Sequence, residues 1–109
     1  MSEEVSFKDF KKLNIRIGTV SDTERVSGSD KLYKIQVDLG DETRQIITGL
    51  VDHYELDELQ GKVITVVTNL KPAKIFGHWS YGMLLAAEND DHLALLTVDR
   101  DITNGAKVT

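Results

Sequence analysis

The chain has 109 residues, no cysteine and 40% hydrophobic content, enough for one domain with its own core and without disulfides or thiolate metal sites. It carries 13 Lys+Arg against 18 Asp+Glu, and the resulting net charge of −5 argues against indiscriminate nucleic-acid binding. No apolar run approaches the length of a membrane span, and MSEEVSFKDF lacks the basic and apolar regions of a secretion signal, so a cytoplasmic protein is expected.

Ser6 followed by Asp9 resembles a helix start, and FKDFKKL has room for one or two turns with Phe7 and Phe10 docked on the core. From Ile15 the pattern alternates every two residues, which predicts a strand to about Val20. SDTERVSGSD then reads as a loop. Leu32–Leu39 predicts a second strand, Gly40-Asp41 a hairpin turn, and Thr43–Leu50 a third strand rich in β-branched residues. Asp52–Gln60 reads as a short helix ended by Gly61. Lys62–Thr68 is a nearly continuous apolar run, hence a buried strand. Residues 69–82 read as a long loop, Met83–Ala87 as a fifth strand, Leu93–Val98 as a sixth, and Asn104-Gly105 as a turn.

Three strands, a short helix and two more strands is the order of a five-stranded Greek-key barrel of the oligonucleotide/oligosaccharide-binding (OB) type. The expected fold is therefore all-β: an OB barrel with short helices and a C-terminal β extension. It forms a single domain over 1–109, with 89–109 as the extension. The extra strands are expected to lie against the barrel or to pair with a second subunit. In such barrels the ligand meets strands two and three, flanked here by the loops at about 22–31 and 69–82.

Charge is distributed to match. Residues 62–87 hold Lys62, Lys71 and Lys74 and no acid, while 35–61 carry a net −6 and 88–109 a net −3. Lys71 and Lys74 suit phosphates, and Pro72 stiffens the loop that presents them. Asn69 suits a base edge or 2′-hydroxyl, or else holds the loop through its backbone. Ser80 is a candidate phosphate donor or a turn residue. Met83 is a candidate for packing on a base or for the core. Trp79 and Tyr81 suit base stacking, or a core or subunit interface. Arg16, Lys31, Lys34 and Arg44, on or beside the first three strands, would extend a positive face. Arg44 has an alternative in pairing with Asp41 or Glu42. His53, His78 and His92 lack the spacing of a shared metal site, no nucleophile elbow surrounds Ser80, and no Gly-rich phosphate loop occurs. No catalysis, metal or cofactor is expected.

The motifs DFKKLNIRIG (9–18), SDKLYKIQVDLG (29–40), TRQIITGL (43–50), ELQGK (58–62), NLKPAKIFG (69–77) and SYGMLLAAE (80–88) together resemble one family. It is the small tRNA-binding domain found free-standing, on methionyl-tRNA synthetases and in relatives of the endothelial-monocyte-activating polypeptide. The likeness runs from Phe7 to Val108. It implies an OB core, a C-terminal extension used for dimerisation, and non-catalytic, structure-dependent tRNA binding. The partners it implies are tRNA, a second copy, and a methionyl-tRNA synthetase whose companion (beta) subunit this chain would be. It also places Asn69, Lys71, Lys74, Ser80 and Met83 at binding-motif positions and Lys31 and Arg44 at strand positions. Arg16, Lys34 and Trp79 are further candidates. The chain departs from the family pattern at Val26–Ser29, in place of His-Pro-Asn-Ala, and at Thr48, in place of Ser. It departs again at Ala73, where a basic residue is frequent, and at Trp79 and Tyr81, where Glu is frequent. Chaperone-like dimers share the fold, so a protein-interaction module is the alternative function.

Overall fold

A computed structural model describes residues 3–109. Its backbone is a nearly closed antiparallel barrel of OB type, as expected. The first helix, α1 (Phe7–Phe10), is one turn capped by the Ser6 hydroxyl, which accepts from the Asp9 N–H at 3.0 Å. None of its residues is buried. The expected docking of Phe7 and Phe10 fails, because the chain holds the helix away from the barrel and leaves Phe7 74% exposed. The Lys11 ammonium lies over the Phe7 ring instead.

The first strand, β1 (Ile15–Arg25), is longer than its alternation indicated. SDTER is strand rather than loop. Its residues are largely exposed, so no apolar period marks them, and pairing with the next strand holds them extended past a bulge between Val20 and Asp22. The next strands, β2 (Tyr33–Asp38) and β3 (Thr43–Thr48), form the hairpin read from Gly40-Asp41. Along β2 every second residue is buried, which puts Tyr33, Ile35 and Val37 into the core. The second helix, α2 (Leu56–Leu59), is one turn where a longer helix was expected. It drops Leu59 into the end of the barrel, and Gly61 follows in the left-handed region.

The buried strand is β4 (Val63–Val67), which runs beside the first half of β1. Residues 69–82 are not an irregular loop. They contain a hairpin of β5 (Ala73–Ile75) and β6 (His78–Ser80), turned at Phe76-Gly77 with positive φ at both residues. Strand β7 (Met83–Leu84) pairs with β4, giving the sheet order β3-β2-β1-β4-β7. Closure back onto β3 uses the Tyr81 N–H, which donates to Gln45 at 2.8 Å.

The expected fifth strand breaks at Leu85. There the chain's N–H still serves Thr65 of β4, while its carbonyl accepts from Leu96. Beyond it β8 (Ala86–Asn89) and β9 (His92–Leu95) form a separate hairpin, which stands where the sixth strand was expected. Leu93 and Leu95 pack on the core, and the Leu95 N–H donates to the Tyr54 hydroxyl. Residues 105–108 then run along Ile15–Ile17, filling the place β2 vacates when it follows only the second half of β1. Within this chain the extension therefore lies against the barrel. Among the described residues no helix is long and apolar enough to cross a membrane.

Candidate nucleic-acid interface

The two loops expected to flank the ligand do meet. Gly28, in the turn between β1 and β2, lies against the Phe76 ring at the tip of the β5–β6 hairpin, so close that a Cβ added there would stand 3.4 Å from Cε2. The other end of the hairpin is rooted on β3. Gln45 Nε2 donates to the Trp79 carbonyl at 2.9 Å, and the Ile47 N–H donates to the Ser80 hydroxyl at 3.0 Å. The hairpin thus crosses the outside of β3 and covers part of the face that an OB barrel usually leaves open.

This crossing sorts the candidates. Lys71 and Lys74 are exposed, and neither forms an ion pair among the described residues. Lys74 stands opposite Trp79 in the β5–β6 register, so the ammonium and the half-exposed indole project from one face. Met83 is half-exposed at the hairpin's root. All four side chains are open to solvent, in two pairs: Lys71 and Met83 border one cleft with Ala73 and Ile75, and Lys74 and Trp79 alternate to the other face of the hairpin.

Three other candidates are committed to the protein's own backbone. Ser80 is buried, and after accepting from Ile47 its hydroxyl donates to the Gly82 carbonyl at 3.1 Å. It relays a hydrogen bond between β3 and β7 where no direct ladder forms. Asn69 accepts from the Asn14 N–H at 2.7 Å and donates to the Lys12 carbonyl at 2.6 Å, stitching the start of β1 to the end of β4. Arg44 is bonded on every side. Nε donates to Glu42 at 2.7 Å, and Nη1 donates to the carbonyls of Thr68 and Tyr81. The pairing with Glu42 is the alternative read from the sequence; the two backbone contacts were not. With Glu42, Thr43, Pro72 and Tyr81, Arg44 lines a shallow concavity of about 380 Å³.

The remaining cations are apart or paired. Lys31, three residues beyond Gly28, donates to Asp52 at 2.6 Å. That hydrogen bond and the charges behind it raise the lysine pKa and lower the aspartate's. Lys34 pairs with Glu24 at 3.0 Å. Arg16 belongs to the C-terminal turn: it donates to the carbonyls of Gly105 and Leu39 and to Asp41 at 2.7 Å, which holds that carboxyl below its ordinary pKa. The sequence reading passed over Gln45. A polar, outward residue midway along β3 was its only signal.

Among the described residues no group of three or more His, Asp or Glu is placed to hold a metal ion. What the site offers is two free ammonium groups, an exposed indole and apolar side chains on a rigidly seated hairpin. Those are the elements of phosphate neutralisation and base stacking.

Comparison with known proteins agrees with that chemistry. The family model of the tRNA binding domain matches residues 15–107. Methionine–tRNA ligase of Thermotoga maritima is 52% identical over 105 residues, covering 96% of this chain and 17% of the ligase. That of Archaeoglobus fulgidus is 49% identical over 106 residues, covering 97% of this chain and 16% of the ligase. The chain therefore spans about one sixth of the length of these relatives. Among solved structures, a MetRS-related protein from Pyrococcus horikoshii superposes with a TM-score of 0.93 at 38% identity, over 99% of this chain and 100% of that one. The chaperone CsaA of Bacillus anthracis superposes with a TM-score of 0.91 at 25% identity, over 98% and 100%.

Proposed function

Because the chain belongs to the tRNA-binding domain family, we propose that it is a non-catalytic, structure-dependent tRNA-binding protein that acts in the cytoplasm as a homodimeric companion subunit of a methionyl-tRNA synthetase. The observation that carries this reading is the segment 69–83, which holds Lys71 and, beside Trp79, Lys74 in solvent with no acid in the segment. Two free cations beside an aromatic suit a folded RNA read through its backbone and shape. The full-length likeness to the Pyrococcus MetRS-related protein supports the companion role. Uncovered apolar side chains support a dimer: Val5, Phe7, Phe10 and Leu13 near one terminus and Leu96 and Ile102 near the other. Two copies would present two cationic hairpins to one tRNA.

Lys71, Lys74, Trp79 and Met83 act as contacts in this reading. Asn69, Ser80 and Arg44 shape the surface that carries them, and Lys31 contributes by exchanging Asp52 for a phosphate. The test is a filter-binding titration of tRNA across a salt series with the Lys71→Ala/Lys74→Ala double variant. Its log–log salt slope should fall by about 1.4–1.8, slightly under one per lost phosphate contact. An unchanged slope and affinity would reject the hairpin as the binding site.

A second reading rests on the likeness to CsaA and on the exposed Phe76, Trp79 and Tyr81. It is a chaperone-like dimer that holds apolar segments of other proteins. Retention of an unfolded client, with no salt-sensitive tRNA binding, would favour it.

A further inference from the structure

A cleft of about 190 Å³ opens at the root of the β5–β6 hairpin, bordered by Ile47 of β3 and by residues on both sides of the hairpin. Ile47 forms its floor, and Leu70, Ala73, Ile75 and Met83 form apolar walls. Leu70 and Met83 are 41% and 48% exposed, so the walls are presented to solvent. Lys71 is the one charged side chain in the lining. Ser80 also borders it, but its hydroxyl is spent on Ile47 and Gly82.

We propose that this cleft docks one unpaired nucleotide of an RNA, the base between Leu70, Ile75 and Met83 and the adjoining phosphate on Lys71. The inference rests on the RNA-binding reading above and adds to it, since recognition of backbone and shape alone requires no unpaired nucleotide. Three observations carry it. The cleft is smaller than a pocket for a drug-sized molecule and has room for one flat ring system. Its walls are apolar, so they hold a base by its faces. Its rim is cationic, with Lys71 in the lining and no acid from Lys62 to Ala87. Apolar walls under a positive rim complement a group that is flat and apolar at one end and anionic at the other. No side-chain donor or acceptor in the lining is free to read a base edge except the Lys71 ammonium, so the four bases should dock alike.

The experiment uses the full chain and three RNA probes: a blunt-ended hairpin, the same hairpin with a one-nucleotide 3′ overhang, and the same overhang made abasic. The base-bearing overhang should raise affinity at least about 5-fold, the lower end of what stacking one base on an aromatic side chain gives, because the walls here are aliphatic. The abasic overhang, which adds the phosphate alone, should give little of that gain. In the Leu70→Ala/Ile75→Ala variant the gain should vanish while the blunt hairpin keeps its affinity and salt slope. Leu70 is half-exposed and Ile75 partly so, and an unchanged thermal midpoint confirms that this variant folds. An equal gain from the abasic overhang, or a gain that survives in the variant, overturns the proposal. Equal, salt-sensitive binding of all three probes removes the cleft and leaves the tRNA reading standing. Absence of salt-sensitive binding to any probe, or to tRNA, removes both. Displacement of the blunt hairpin by a leucine-bearing acidic peptide, with no gain from the overhang, assigns the cleft to a peptide and also overturns the proposal.

Discussion

Replacing Arg44 with alanine separates a residue that touches RNA from one that builds the surface for it. The guanidinium makes four hydrogen bonds, two to Glu42 and one each to the carbonyls of Thr68 and Tyr81. The Glu42 contacts contribute little, because that carboxylate is well exposed and water replaces its partner. The Tyr81 carbonyl likewise reaches solvent. The Thr68 carbonyl belongs to a residue only 3% exposed, so water does not readily take the guanidinium's place. Charge-assisted bonds to neutral acceptors contribute roughly 1.5–3 kcal/mol each, so Arg44→Ala should cost about 2–3 kcal/mol. In urea, with m near ~1.5 kcal/mol/M, the midpoint should fall by about 1.3–2 M at constant m. Arg44→Lys should recover little, since a point charge cannot span both carbonyls. The tRNA salt slope should stay unchanged in both variants, because no phosphate contact is removed. A midpoint shift below about 0.3 M, together with a slope lowered by nearly one unit, would make Arg44 a phosphate contact and refute this account.

Gly105→Ala should destabilise by at least ~2 kcal/mol, lowering Tm by roughly 8–12 °C. Gly105 has φ +91, and a Cβ there would meet the Leu39 carbonyl oxygen and Arg16 Nη2. An unchanged Tm would mean that the C-terminal turn is not seated as described. Phe7→Ser/Phe10→Ser should convert the proposed dimer to monomer in light scattering without altering the far-UV spectrum; a retained dimer would place the interface elsewhere. Asp52 has a depressed folded pKa, so its contribution to stability is present above its unfolded value of ~3.9 and is lost as pH falls through the folded value. Lys31 is raised, so its contribution is present below ~10.4 and is lost as pH rises through its folded value. By NMR, the Asp52 carboxyl should titrate lower in the wild type than in Lys31→Met. Equal midpoints would mean that the pair does not form in solution.

The barrel was legible because its signals are local. The alternation of Tyr33, Ile35 and Val37, the turn at Gly40-Asp41, the left-handed Gly61 and the turn at Asn104-Gly105 each lie within a few residues, and each stands where it was read. SDTER was missed as strand because both its faces are largely solvated, leaving pairing with β2 as its only cause. The cationic segment was equally plain as composition, since Lys71 and Lys74 have no acid near them in the chain and, among the described residues, no ion pair in the fold.

What residue type and position determined, then, was the order of the strands and where positive charge gathers. What tertiary structure decided was which polar side chains remain free to meet a ligand. Arg44, Asn69 and Ser80 are chemically fit for phosphate or base. Each instead meets a backbone group 24 or more residues away, brought near only when the barrel closes and the hairpin crosses β3. A buried carbonyl or N–H left without a partner is costly, so the fold draws on such side chains before a ligand can. That demand arises from approaches between distant segments, and no local pattern in the chain records it.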